Sequence, residues 1–104
     1  MTPPGRRQLL ELIPESDWQQ HVYDYARRHR WLAYHTWDSR RSAAGFPDLV
    51  LVRAPHLVFA ELKAHGKQLR PAQQSWYDQL SGVTCVETRT WWPTDEADME
   101  RLLQ

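Results

Sequence analysis

Residues 45–63 read GFPDLVLVRAPHLVFAELK, and this stretch decides the fold. Two apolar runs, Asp48 to Val52 and Leu57 to Leu62, flank Arg53-Ala54-Pro55-His56. Short runs rich in Val, Leu and Phe, parted by a proline turn, read as two strands of a hairpin. If the chain turns at Ala54-Pro55, Val52 faces Leu57, Val50 faces Phe59 and Asp48 faces Glu61. Directly opposed residues on one face have Cβ atoms about 5 Å apart. Lys63 lies two residues beyond Glu61 and so shares its face. The pattern thus sets two carboxylates and one ammonium on one patch, beside Val50, Val52, Leu57 and Phe59. The opposite face holds Leu49, Leu51, Val58, Ala60 and Leu62. Both faces are apolar, so helices are expected on both sides of the sheet.

Working outward, Pro14 suits the start of a helix, and Ser16 with Gln19 has the spacing of a capping box. Trp18, Val22, Tyr25 and His29, with Ala26 alongside, recur at helical spacing and predict a helix over 15–30. Trp31 to Trp37 is aromatic and partly alternating, and reads as a strand. Asp38 to Gly45 reads as a loop of small and basic residues. Pro71 to Leu80 reads as a helix with proline at its start and Gly82 past its end. Val83 to Thr88 reads as a strand. Thr94 to Leu103 reads as a last helix, capped by Thr94 and acidic in its first turn. The order is α-β-β-β-α-β-α, with residues 1–13 as an N-terminal arm and 14–104 as one domain.

A length of 104 residues allows one domain with a modest core. Six Trp and 12% aromatic residues argue against disorder. Thirteen Lys+Arg balance thirteen Asp+Glu, which excludes coating of nucleic acid by bulk charge but not a local basic groove. No run of 18 apolar residues is present, so no membrane-spanning helix is expected. Leu9, Leu10, Leu12 and Ile13 are interrupted by Glu11 and closed by Pro14, which is no secretory h-region. A single cysteine, Cys85, cannot form an internal disulfide, and a cytoplasmic location, in a bacterium or a phage-infected cell, is expected. Without C-x-x-C or closely spaced histidine pairs, a structural zinc site is not expected.

Two opposed carboxylates at a sheet end repel and cannot both ionise cheaply. A divalent cation removes the conflict. Mg²⁺ takes hard oxygen ligands, keeps several waters and needs only one or two protein carboxylates. An adjacent lysine can orient or help deprotonate a water, and the metal stabilises charge on a phosphate under in-line attack. That chemistry suits phosphodiester hydrolysis. The plainer reading stands beside it: an Asp before a strand is often a turn residue, and Glu-x-Lys is usually a solvated strand face.

Gly45-Phe-Pro-Asp48, the hairpin, and Ala60-Glu-Leu-Lys63 resemble the PD-(D/E)xK nuclease superfamily. The closer resemblance is to its VRR-NUC family, especially the stand-alone phage and bacterial members. Glu15 opening the first helix, Tyr34-His35 ending the first strand, Ser39-Arg40 after it, and Gln73 within Leu69-Arg-Pro-Ala-Gln-Gln-Ser-Trp76 agree with that family. The match covers roughly residues 15–82 and weakens beyond Gly82. It implies an α/β restriction-endonuclease-like fold, with a central mixed sheet flanked by helices. It also implies Asp48, Glu61 and the main-chain carbonyl of Leu62 as ligands of a catalytic Mg²⁺ or Mn²⁺. Lys63 would position the attacking water, Glu15 would approach the metal from the first helix, and Gln73 would buttress the site. The ordinary reading of Glu15 is a carboxylate complementing a helix dipole, and that of Gln73 an exposed helix residue.

The implied activity is a metal-dependent DNA endonuclease, selective for branched DNA such as a Holliday junction, working as a homodimer without a small-molecule cofactor. The alternatives are a nicking, flap or mismatch nuclease of the same fold, or a non-catalytic DNA-binding module. Charge supports a local groove: Arg40 and Arg41 precede Asp48, and Lys67 and Arg70 follow Lys63, as candidate phosphate contacts. His35, at the end of the first strand, is a further candidate or else a structural histidine. Arg27, Arg28 and Arg30 read as a solvated helix face. Trp18, Trp31 and Trp76 read as core, with Trp91 and Trp92 exposed near a loop where they could stack on bases. The apolar patch Leu9 to Ile13 is a candidate dimer contact.

Overall fold

A computed structural model describes residues 5–36 and 41–104. It contains α1 (Arg6–Leu10), α2 (Glu15–Arg28), β1 (Leu32–His35), β2 (Leu49–Arg53), β3 (His56–Leu62), α3 (Pro71–Ser81), β4 (Glu87–Trp91) and α4 (Glu96–Leu103). The four strands form one sheet in the order β1-β2-β3-β4. β1, β2 and β3 pair antiparallel, and β4 joins β3 parallel, so the sheet is mixed. This is the α/β architecture expected of a restriction-endonuclease-like fold.

The hairpin register is the one read from sequence, with Val52 opposite Leu57 and Val50 opposite Phe59. The Leu49, Leu51, Val58, Ala60, Leu62 face is fully buried. It packs on Trp18, Val22 and Ala26 of α2 and on Met99 and Leu103 of α4. Those three α2 residues lie four apart, on one stripe of the helix. Two indole N–H groups close the core: Trp18 Nε1 donates to the Trp91 carbonyl at 2.9 Å, and Trp31 Nε1 to the Leu103 carbonyl at 2.8 Å. Arg53 ties the hairpin to the helix ends, donating to the carbonyls of His29 (2.7 Å) and Gln104 (3.0 Å) over the Trp31 ring.

The other sheet face is covered less than both apolar faces suggested. Phe46 sits edge-on to Phe59 and to Trp76 of α3. Toward the β1 edge, however, Leu32 is 75% exposed and Tyr34 61%. A single eleven-residue helix on that side does not reach the edge strand.

Several boundaries differ from the sequence reading. α2 ends at Arg28, because Arg30 turns into positive φ (71°). Pro14 holds the N-cap position, so Ser16 lies inside the helix and forms no capping box. The last strand is Glu87–Trp91 rather than Val83–Thr88. The Val83 N–H still bonds the Leu80 carbonyl in the turn leaving α3, and pairing begins only where the chain comes alongside Val58. Trp91 is consequently buried, not exposed, and its indole donates to Asp98 at 2.8 Å. Trp92 is half-buried, its indole donating to the Lys67 carbonyl at 2.7 Å. Thr94 does not cap α4; a 3₁₀ turn over Pro93–Asp95 precedes the helix. Within the expected arm, α1 is tied down by an Arg6–Glu96 ion pair. Trp37 lies outside the described residues. No helix among the described residues is long and apolar enough to cross a membrane.

Candidate active site

Continuing the register one step past β2 sets Asp48 against Glu61, and the structure joins their surroundings directly. The Asp48 Oδ2 accepts the Leu62 N–H at 2.8 Å. Asp48 is held from the other side too, since its carbonyl accepts the Thr36 N–H at 2.9 Å. Glu61, Lys63 and Gln73 are each only 7% exposed. Gln73, on the first turn of α3, donates from Nε2 to Glu61 Oε1 at 2.9 Å. Its Oε1 accepts the Arg70 N–H at 2.8 Å, so both ends of its amide are engaged. Gln73 is thus no exposed helix residue; it braces Glu61. Glu15, the first residue of α2, accepts the Ala64 N–H at 3.3 Å and lines the same cleft.

A cleft of about 590 Å³ brings together Glu15, His35, Asp48, Glu61, Lys63 and Gln73, with Lys67 and Arg70 at its wall. A second hollow of about 420 Å³, between the loop at 42–46 and the start of α3, shares Thr36, Asp48, Glu61, Arg70 and Gln73 with it. The carboxylates therefore lie on the floor of one trough. Of the candidate phosphate contacts, Lys67 and Arg70 are exposed in this trough and Arg41 is exposed beside it. Arg40 lies outside the described residues. His35 is 6% exposed and edge-on to Tyr23.

Burial and like charge govern the electrostatics. Burial, then the neighbouring Asp48 charge, pushes the Glu61 carboxyl up to about 9, against the opposing pull of Lys63. Burial also holds the Asp48 carboxyl above the usual carboxylate range, despite the N–H it accepts from Leu62. The Glu15 charge raises both. Burial lowers the His35 imidazole, with Asp48 working the other way. Buried carboxylates of like charge favour a nearby cation, and these donors are hard oxygens. The residues present fit a hard divalent metal.

The family model of the VRR-NUC domain matches residues 6–87. The chain belongs to the VRR-NUC family. A VRR-NUC domain is a nuclease-type, DNA-processing domain. The family match begins within α1, so it takes in part of the segment that sequence alone left as an arm. No curated protein matches the sequence.

Sequence reasoning gave Thr36 no role, Gln19 only a capping role and Trp76 only a core one, although Trp76 is half-buried. Thr36 follows His35 and, by the β1–β2 register, lies opposite Asp48. Gln19 lies one turn after Glu15 and lines the cleft. Trp76 Nε1 donates to the Ala44 carbonyl at 3.1 Å, fastening the loop before Asp48 to α3. The first two could have been found by extending the register and the helix by one step. Outside the trough, His21, Glu96 and Glu100 bring donor atoms within 4.8 Å of one another, but Arg6 already pairs with Glu96.

Proposed function

We propose that this VRR-NUC domain is a Mg²⁺- or Mn²⁺-dependent DNA endonuclease that hydrolyses phosphodiester bonds. The observation that carries this is the pairing of Asp48 and Glu61 on the trough floor, with Lys63 beside them and Gln73 behind. Asp48, Glu61 and the Leu62 carbonyl would hold the metal, with Glu15 approaching from α2. When bound, the metal supplies Lewis-acid stabilisation of the phosphate and lowers the pKa of a bound water.

The chain's own residues supply the rest. Gln73 fixes the rotamer of Glu61 through a neutral hydrogen bond that survives ionisation. Lys63, buried in the cleft lining, would position the attacking water and favour its deprotonated form. That water would add in line to phosphorus as the P–O bond to the leaving sugar oxygen breaks, its proton passing to solvent and the departing alkoxide taking a proton from solvent. Lys67 and Arg70 on the wall bind the flanking phosphates, and Arg41 extends that contact along the loop. These are local cations in a chain of zero net charge, so binding depends on the groove.

The preferred substrate is branched DNA, such as a four-way junction, cut by a homodimer. Exposed apolar side chains support self-association: Leu9 and Leu12 in the N-terminal segment, and Leu32, Tyr34 and Val52 on the open sheet face. A two-fold dimer would present two troughs to two strands. The test is a panel of linear, flap and four-way substrates with Mg²⁺, Mn²⁺ or EDTA. Junction cleavage that EDTA abolishes is expected. Cleavage persisting in EDTA refutes the metal mechanism, and equal rates on junction and linear duplex remove the junction preference.

A further inference from the structure

The trough has two compartments that meet over Asp48 and Glu61, and they differ in charge. The larger, of about 590 Å³, carries Glu15, Lys63 and Lys67 of its own. The smaller, of about 420 Å³, is walled by residues 42–46 with Pro71 and Ala72, and none of these is ionisable. Its cation, Arg70, is shared with the larger compartment. The smaller wall is also braced. Gly45 has φ +82° and lies so close to α3 that a Cβ there would come 2.3 Å from the Ala72 carbonyl carbon. The Trp76 indole donates to the Ala44 carbonyl at 3.1 Å, and the Phe46 N–H bonds back to the Ala43 carbonyl at 3.1 Å. The Phe46 ring packs edge-on with Phe59 and Trp76. Loop and helix are thereby fixed to each other, so the hollow stands open in the free protein and filling it costs little ordering.

Covalent connectivity limits what can lie there. A phosphodiester held over Asp48 and Glu61 has a nucleoside on each side. Toward the larger compartment the strand meets Lys67 and Arg70, which suit the next phosphate. Toward the smaller one it meets small apolar side chains and the Phe46 ring, which suit an uncharged sugar and base. The volume lies in the range of about 300–1,000 Å³ typical of small-molecule sites. That is room for one nucleoside, and not for a base pair within a duplex.

We infer that the hollow between residues 42–46 and the start of α3 is a subsite for one unpaired nucleoside adjoining the cleaved phosphate. This rests on the nuclease reading of the trough and narrows it. The substrate is DNA with an unpaired nucleotide at the cut, as at an imperfect branch point. Fully paired DNA must first break a pair and unstack the base to fill the hollow.

The experiment is cleavage by the full chain, in Mn²⁺, of three four-way junctions of one sequence. The first is fully paired, the second has one unpaired thymidine at the branch point, and the third has an abasic sugar in its place. Wild type should cut the second beside the extra nucleotide, at least about tenfold faster than either of the others. Ala43→Leu and Ala72→Leu narrow the hollow from the loop and from the helix, at positions exposed enough to leave the fold intact. Each should bring the three rates within about twofold of one another. Equal wild-type rates on all three overturn the subsite. So does an abasic junction cut as fast as the second, which would assign the gain to a flexible branch point, or a full preference kept by every folded leucine variant. Failure of the wild type to cut any of the three overturns the nuclease reading itself, and the subsite falls with it.

Discussion

Replacing Asp48 with Asn should end cleavage and yet stabilise the metal-free protein. In the folded chain Glu61 keeps its proton up to a pH of about 9, whereas its ordinary value is 4.5. Between those values the folded state holds a proton that the unfolded state has released. Stability is therefore greatest at the acid end of the window and falls as pH rises through it. Each unit of mismatch is worth about 1.4 kcal/mol, so relieving the entire shift would return about 6 kcal/mol. Burial is the larger cause and remains in the variant; the Asp48 charge is the second cause and is removed. The amide oxygen of Asn can still accept the Leu62 N–H. About 1–2 kcal/mol at pH 8 is a reasonable share for the removed charge, or about 5–10 °C in Tm for a domain of this size. The assay is thermal unfolding by circular dichroism at pH 5 and pH 8, in EDTA and in excess Mg²⁺. The variant should melt higher than wild type in EDTA at pH 8, with a smaller gap at pH 5. Mg²⁺ should raise the wild-type Tm more at pH 8 than at pH 5 and leave the variant unmoved. A variant that melts lower than wild type at pH 8, or that gains equally from Mg²⁺, would refute this reasoning.

Three further substitutions probe other parts of the account. Lys63→Ala should reduce cleavage at least about 100-fold while electrophoretic mobility shifts show DNA binding retained; turnover near the wild-type rate would contradict its assignment. Gly45→Ala should destabilise by about 2 kcal/mol or more in urea titrations, since Gly45 has φ +82° and an added Cβ would lie 2.3 Å from the Ala72 backbone carbon. A wild-type midpoint would mean that the loop can leave α3 at no cost. Trp18→Phe should cost about 1–3 kcal/mol by the same titration, because the buried Trp91 carbonyl loses its indole donor; an unchanged midpoint would remove that bond from the core's support.

The hairpin was legible because a proline turn between two apolar runs leaves one register that buries Leu49, Leu51, Val58, Ala60 and Leu62 together. Asp48, Glu61 and Lys63 came with it at no further assumption. The start of β4 was not legible. Val83 to Thr88 and Glu87 to Trp91 are both plausible strands by local pattern, and only parallel pairing to β3 chooses between them. Trp91 was misplaced for the same reason: its partners, Trp18 and Asp98, come from two different helices. Gln73 needed the family resemblance, because nothing in its helix marks it as buried. The open sheet face at Leu32 and Tyr34 was hidden by its own hydrophobicity, which reads as coverage whether or not a helix arrives.

The central claim is that Asp48 and Glu61 form one cation site. The most direct measurement is the anomalous difference map of crystals soaked in Mn²⁺. A single strong peak is expected about 2.2 Å from an Asp48 and a Glu61 carboxylate oxygen and from the Leu62 carbonyl oxygen. A fully soaked crystal with no peak between those carboxylates, or with manganese held only elsewhere on the chain, would contradict it.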